Sequence, residues 1–439
     1  MKKIKVNYLL SLVFTTLISS VWAQEKLSLN AAIEEALKNN FSVQIAKNNV
    51  AIAQNEATTG NAGMLPSLSM GAGESFSVNN TQQKLNSGNE INRKGAQSTN
   101  TNAGISLNWT LFDGFRMFIA HERLKALGEA EELLLRQQME KTIQKVVEAY
   151  LEILKQQELL TLADTAILIY SDRTKLSKNK WEIGISSKMD FLQSSVDLNE
   201  QKSSRLNQLL ALENAKTYLN TLLGRKSEIT FEVETSITLR KDLNLEQLKQ
   251  KAASSNANLS YLKKDILVSE LALKEIRSGF YPRLVGNAGY NYARSTNQAS
   301  FIQLNQNTGL NLGLSLGWTV FDGLNLRRKI RTAQLGIVNQ KLFLENSLIE
   351  TESAVSFAYR KYFYALQMLA LEEENLQVAK ESAVVARERY KTGSSTFLEL
   401  KDVEKSFLDA KSRLVNAEYL AKIAETELLR LSGHLLNAN

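Results

Sequence analysis

Few side chains in this sequence have the types and spacing that catalysis needs. It has no cysteine and two histidines, His121 and His434, far apart in the chain. Thiolate chemistry is therefore absent, and a histidine-based acid–base pair or metal site is not expected. No glycine-rich phosphate loop or nucleophile elbow is present. The reading is a non-enzyme without a metal or cofactor. What remains are carboxylates beside glycines, and a doubled aromatic motif. Thr396-x-x-Glu399 reads as a helix capping box and Ser187-x-x-Asp190 nearly does, each just after a glycine, Gly393 or Gly184. Asp402 lies too deep in the following helix to cap it, so its charge is free for another task. Trp109, Phe112, Asp113 and Gly114 in "WTLFDG" recur as Trp318, Phe321, Asp322 and Gly323 in "WTVFDG".

The two motifs stand 209 residues apart, and the matching extends far beyond them. At that offset Ala149-Tyr150 matches Ala358-Tyr359, Gly184 matches Gly393, Lys202-Ser203 matches Lys411-Ser412, and Gly224 matches Gly433. Upstream the offset is 216: Leu29 matches Leu245, Asn40 matches Asn256, and Pro66 matches Pro282. The seven-residue difference falls between the proline and the tryptophan, so one loop there is longer in the first copy. The chain divides into a first repeat (24–224), a connector (225–244) with a short strand near 229–233, a second repeat (245–433) and a tail (434–439).

Each repeat changes its hydrophobic period along its length. After each proline the period is two: Leu310, Leu312, Leu314, Leu316, Trp318 and Val320 alternate with Asn311, Gly313, Ser315, Gly317 and Thr319. Similar runs lie around Leu68–Ala72, Ile105–Leu111 and Leu284–Tyr292. Runs of about ten residues, apolar on one face and small or polar on the other, suit strands crossing a bilayer in a barrel. A soluble half-buried hairpin shows the same alternation. Polar stretches at 79–101 and 295–308 read as loops joining the strands. The rest reads as helix. Residues 324–391 contain no proline and only Gly336, enough for roughly 100 Å of helix at about 1.5 Å per residue; 115–181 is the counterpart. Each long helix ends at a glycine turn, Gly184 or Gly393, and a shorter one returns. In the second return helix Val403, Phe407, Ala410, Leu414, Ala417, Ala421, Ala424, Leu428 and Leu431 follow a heptad spacing. Gln201, Arg205 and Gln208 weaken the equivalent seam in the first.

The N-terminus has a basic start (Lys2, Lys3, Lys5), an apolar run to Val21, and a small-x-small site at Val21-Trp22-Ala23. This reads as a secretory signal peptide over 1–23, with the mature chain starting at Gln24. Removing its lysines takes the formal charge from +7 to +4, too little to argue for nucleic acid. No later stretch is apolar enough for a membrane-spanning helix. If this chain enters a membrane it does so as strands. Four strands in lipid leave open edges, so copies of the chain would have to pool them.

The combination resembles the TolC-type outer-membrane efflux proteins. The resemblance rests on "LPSLSM" and "YPRLVG" where helices become strands, on the doubled W-T-x-F-D-G where strands become helices, and on "RYKTGSSTFLELKDVEKSFLDAKSRLVNAEY". It implies a mainly helical chain with a membrane β-barrel: a homotrimer whose twelve-stranded barrel in outer-membrane lipid continues into a periplasmic helical barrel. It also implies partnership with a periplasmic adaptor and an inner-membrane pump, exporting drugs, metals or proteins. Pro66, Pro282 and the Trp-Phe-Asp-Gly residues would then mark the strand–helix junctions. Gly184 and Gly393 would turn at the periplasmic tip. Glu399 and Asp402 would fall on an acidic ring at the entrance, and Tyr390 would pair with Asp190 to hold it shut. An arginine common in the family two residues after the second glycine is Ser395 here, so the resemblance does not carry over the second closing link. The competing reading is a periplasmic or secreted coiled-coil scaffold that forms no channel.

Overall fold

A computed structural model describes residues 26–234, 238–240 and 242–433. The signal peptide expected at 1–23, the mature start expected at Gln24, His434 and the tail at 434–439 lie outside the described residues. The elements are β1 (Lys26–Leu27), α1 (Leu29–Asn39), α2 (Phe41–Glu56), β2 (Ser67–Lys84), β3 (Glu90–Phe112), α3 (Arg116–Glu182), α4 (Lys188–Leu223), β4 (Glu232–Val233), α5 (Leu245–Ser255), α6 (Ala257–Arg277), β5 (Arg283–Asn297), β6 (Leu304–Gly317), α7 (Asn325–Thr392) and α8 (Phe397–Leu431). The chain divides into two compact units. Among the described residues, one comprises those within 26–45, 137–256 and 350–433, and the other 46–136 and 257–349.

The second unit holds an antiparallel sheet in the order β2-β3-β5-β6. Both hairpins have the same register once the offsets are applied. Ser67 pairs with Asn108 and Arg283 with Gly317, and adding 216 and 209 to the first pair gives the second. The strands are longer than the sequence suggests. The stretches 79–101 and 295–308, read as loops, are mostly ladder, and the connections shrink to 85–89 and 298–303. Backbone pairing needs no apolar side chain, so the strands continue beyond the apolar band with Asn, Ser and Thr. β6 stops at Gly317, short of the Trp318 and Val320 that the alternation included. The connector strand is likewise shorter than expected, Glu232–Val233, and pairs in parallel with Lys26–Leu27.

Alternation gives the sheet two unlike faces. One carries Leu68, Met70, Ile105, Leu107, Trp109, Leu111, Tyr290 and the row Leu310, Leu312, Leu314, Leu316, with Leu312 75% exposed. The other carries Ser, Asn, Gly and Thr, tied across strands by Ser69 Oγ to Ser106 Oγ (2.7 Å), Ser77 Oγ to Ser98 Oγ (2.8 Å) and Ser295 Oγ to Asn100 Oδ1 (2.6 Å). Among the described residues of that face within 67–79, 98–110, 283–297 and 305–317, Arg283 is the only charged side chain.

Two of the hydrophobic clusters in the first unit lie at equivalent positions of the repeats. Ala32, Ala36, Val146, Ala149 and Leu219 lie in one; Leu248, Ala252, Val355, Ala358 and Leu428 lie in the other. Burying a Val or Leu stabilises by about 1.5–3 kcal/mol, and the alanines let helices approach closely. The heptad seam of α8 is buried from Ala410 to Leu428. The helix expected before each proline is broken in two, at Asn40 and Asn256. There Asn40 Nδ2 donates to Leu222 O (2.8 Å) and Asn256 Nδ2 to Leu431 O (3.2 Å), taking up carbonyls at the ends of α4 and α8.

Candidate functional site

At both strand–helix junctions the doubled motif does the same mechanical work. Trp109 Nε1 donates to Met64 O (2.9 Å) and Trp318 Nε1 to Phe280 O (3.0 Å). Each carbonyl lies two residues before a proline, Pro66 or Pro282, so the indole fixes the bend where helix gives way to strand. Asp113 Oδ1 accepts the Met117 amide (3.2 Å) and Asp322 Oδ2 the Leu326 amide (2.7 Å), satisfying donors at the helix starts. Gly114 and Gly323 have φ of 70° and 69°, and the next residues, Phe115 and Leu324, are also left-handed, at 64° and 62°. Two successive left-handed residues reverse the chain from strand into helix, a strained arrangement for a bulky side chain. Phe112 stacks edge-on against Phe115, centroids 5.3 Å apart. Phe321 is exposed.

Gly114 and Gly323 differ in one respect. A Cβ on Gly114 would lie 2.6 Å from Ser278 O and 2.7 Å from Tyr281 Cβ, because the first junction packs on the second repeat. A Cβ on Gly323 would meet only Asn325 Nδ2, at 3.7 Å. The second junction lacks, within one chain, the neighbour that the first one has.

The glycine turns close α3 and α7 in identical ways. Ile185 N donates to Lys180 O and Ser394 N to Arg389 O, both 2.8 Å, with Gly184 at φ 79° and Gly393 at φ 83°. These are Schellman closures, which glycine makes without a Cβ penalty. Thr396 Oγ1 accepts the Glu399 amide (3.2 Å), as a capping box requires, but the Glu399 carboxylate turns to Arg389 (2.8 Å). Ser187 Oγ accepts from Met189 N instead of Asp190 N, and the Asp190 carboxylate takes Ser186 Oγ (2.7 Å). Asp402 is exposed. Among the described residues its carboxylate has no hydrogen-bond or ion-pair partner.

Tyr390 is buried beside Leu400 and Ala386. Its hydroxyl lies 3.4 Å from Ser177 Oγ, its carbonyl accepts from Lys180 Nζ, and that ammonium also sits over its ring, 4.1 Å from the centroid. Among the described residues no hydrogen bond joins Tyr390 to Asp190 inside one chain. The tyrosine instead ties α7 to α3.

One cluster has no counterpart in the residues singled out from sequence. Arg173, with a fully buried side chain, donates to Asp197 Oδ2 (2.7 Å) on α4 and to Glu404 Oε2 (2.9 Å) on α8. Its guanidinium lies over Tyr170, 4.2 Å from the ring centroid. Lys401 reaches the other oxygen of Asp197 (3.0 Å), and Arg387 pairs with Asp172 alongside (2.6 Å). Burial pushes the Glu404 carboxyl up to about 7, against the pull of Arg173 and Arg387. The signal that could have found this cluster is the run Tyr170, Arg173, Ser177, Lys180. It has the 3-4-3 spacing of a buried seam but is polar.

Among the described residues no helix is long and apolar enough to cross a membrane. Comparison with known proteins gives one direction. The model of the family described as Outer membrane efflux protein matches 32–225 and again 246–434. The chain is 26% identical over 185 residues to the outer membrane efflux protein BepC of Brucella suis, covering 42% of this chain and 39% of that one. It is 21% identical over 425 residues to the outer membrane protein TolC of Vibrio cholerae, covering 96% of this chain and 93% of that one. Its fold matches the outer membrane channel CmeC of Campylobacter jejuni with a TM-score of 0.78 at 15% identity, over 93% of this chain and 86% of that one.

Proposed function

The chain belongs to the outer membrane efflux protein family, a family of non-enzymatic conduits, and from that premise we propose that it is the outer-membrane channel of a tripartite efflux or type I secretion system. Three copies pool their strands into a twelve-stranded barrel. The apolar face meets lipid, and the Ser–Asn–Gly face lines a watery lumen. The helices continue the conduit into the periplasm, toward an adaptor and an inner-membrane pump. Cargo of any of three kinds, small molecules, metals or proteins, is compatible with so neutral a lumen, and the choice among them falls to the pump.

The observation that carries this reading is the pairing of β3 with β5. It joins the first repeat to the second with Trp109 opposite Gly286, Leu107 opposite Ala288 and Ile105 opposite Tyr290. β6 and β2 are the free edges of the sheet, and they are the repeat equivalents of β3 and β5. Applying the offsets of 209 and 216 makes β6 of one copy pair with β2 of the next. Gly313 then falls opposite Ser75 and Asn311 opposite Ser77, with Leu312 and Phe76 side by side on the lipid face. The same operation supplies Gly323 with the neighbour it lacks. Head-to-tail contacts of this kind close into a ring when the rotation permits.

The absence of native cysteine makes the test direct. Asn311→Cys should be combined in turn with Ser75→Cys, Ser77→Cys and Asn79→Cys, and the protein oxidised in membranes. Covalent ladders ending at a trimer, strongest for the Asn311/Ser77 pair, are expected. A cysteine-linked product of two chains only, or none in any register alongside a stable detergent-free monomer, sinks the barrel. The tip acids enter as a further part of the reading. Three copies of Asp402 and Glu399 would bring carboxylates around one axis and favour cations there. Within each chain Tyr390, Lys180 and Ser177 tie α7 to α3.

A further inference from the structure

We propose that the cavity where the sheet meets the start of α3 is a binding site for an organic oxyanion, a carboxylate or phosphate-type group held by Arg116, Arg123 and Arg283. The cavity has a volume of about 570 Å³ and lies within the unit that holds the sheet. That size is in the range of drug-sized ligand sites, roughly 300–1,000 Å³, and well beyond a bare ion.

Its charge is unbalanced by construction. Arg116 and Arg123 stand seven residues apart on α3, two turns along one face. Both use Nε on the same carboxylate: Arg116 Nε reaches Glu275 Oε1 (3.1 Å) and Arg123 Nε reaches Glu275 Oε2 (2.9 Å). One carboxylate neutralises one guanidinium, so the pair keeps a net positive charge. Neither arginine spends an Nη group on any partner within the chain, among the described residues. Among the described residues Arg283 has only a hydroxyl for a partner, Thr110 Oγ1 (3.0 Å). Asp113, the other acid on the cavity wall, is committed to the Met117 amide. The charged lining is thus three arginines against two carboxylates, with the paired Nη donors of two forks available. A planar guanidinium fork suits the two oxygens of a carboxylate or phosphate.

A structural fastener between α3 and α6 would need one arginine on Glu275, and it would not explain Arg283. That residue is the only charge on the otherwise neutral polar face of the sheet within the stretches named above. It sits at the strand end nearest the cavity. Gly317, opposite it in the ladder, leaves the wall open on that side. The apolar face, where Leu107, Trp109, Leu111 and Leu314 line a separate groove, is the other side of the sheet. The expected ligand is therefore soluble and comes from the polar side; it is not a lipid headgroup. Its position on the lumen wall rests on the channel reading above, whereas binding itself does not.

The test is calorimetric titration of the detergent-solubilised full chain with inorganic pyrophosphate at low salt, and separately with dihexanoyl phosphatidylglycerol. Pyrophosphate should bind, and Arg116→Gln and Arg283→Gln should each weaken it at least tenfold. Arg294→Gln, on the apolar face, should leave it unchanged, and all variants should keep the helical content and oligomeric state of the parent. Binding of the lipid alone would overturn the soluble source. Equal pyrophosphate binding by the parent and an Arg116→Gln/Arg283→Gln double variant would overturn the site. A chain that binds pyrophosphate in this manner but does not form cross-linked trimers would leave the site standing and remove the channel.

Discussion

Glu404 offers the sharpest quantitative check on how α3, α4, α7 and α8 pack beside the glycine turns, the region proposed above as the tip. Its carboxyl is raised from 4.5 to about 7, chiefly by burial. Below pH 4.5 it is protonated whether the tip is folded or open. Between 4.5 and 7 the folded tip keeps a proton that the opened tip releases. The stabilisation associated with this group is therefore full at low pH and is lost as pH rises through 7. The groups facing it are Arg173 and Asp172 on α3, Asp197 on α4, Arg387 on α7 and Lys401 on its own helix. A change of this size corresponds to roughly 3 kcal/mol at about 1.36 kcal/mol per pKa unit, or about two orders of magnitude in a local opening equilibrium. Glu404→Gln removes the titration while keeping shape and a polar partner for Arg173. Hydrogen exchange of peptides from the N-terminal half of α8, corrected for the chemical exchange rate, reads that equilibrium. Going from pH 5 to pH 8.5, protection in the parent should fall one to two orders of magnitude relative to Glu404→Gln. Parallel pH profiles for the two proteins would refute the reasoning, because they would mean that Arg173 holds Glu404 ionised throughout.

Four other outcomes follow from particular contacts. Arg173→Met should cost about 3–5 kcal/mol at pH 8, the usual consequence of leaving a buried charge without its partner, and less at pH 5 where Glu404 is neutral; thermal melts at the two pH values compare them. Gly323→Ala in a monomer should cost only the roughly 1–2 kcal/mol of left-handed strain, but in a closed ring it should impair assembly as Gly114→Ala impairs folding, which size-exclusion chromatography distinguishes. Asn40→Ala should lose about 1 kcal/mol, the usual worth of a helix-terminus cap, by freeing Leu222 O and the start of α2, and Asn256→Ala should match it in the same melts. Ser87→Cys and Gln303→Cys, at the hairpin ends, should react with an impermeant maleimide on intact cells while Ser394→Cys does not; the reverse pattern would invert the orientation.

How much of this was legible in the sequence depends on what kind of signal each feature leaves. The long helices were plain, because nothing but Gly128 or Gly336 interrupts them and a glycine ends each. The doubled Asp-Gly was also legible as a helix start, since aspartate caps whatever surrounds it. The extent of the strands was not. Hydropathy reports which face of a strand is apolar, and the strands continue past their apolar stretches at 79–84 and 90–101 with mostly polar side chains. The breaks at Asn40 and Asn256 were visible only as a repeat match. A polar residue there reads as surface until its amide is seen closing the end of another helix.

The tip shows the limit most clearly. Glu399 and Asp190 were legible as residues near helix starts, and their carboxylates went elsewhere, to Arg389 and Ser186. The residues that bind the four helices of the tip together are charged and buried, and the periodicity that places them is the one normally read from apolar side chains. Tyr170, Arg173, Ser177 and Lys180 keep that spacing with polar types. A wholly apolar seam would give these helices no reason to part, whereas a buried arginine balanced between Asp197 and Glu404 is stable only while all its partners stay in place. Separating α8 from α3 takes Glu404 from Arg173 and leaves Asp197 of α4 with it. The links between the repeats here, Arg173–Glu404, Lys401–Asp197 and Arg387–Asp172, all carry charge. On the channel reading, they lie along the seam that an opening of the tip would part.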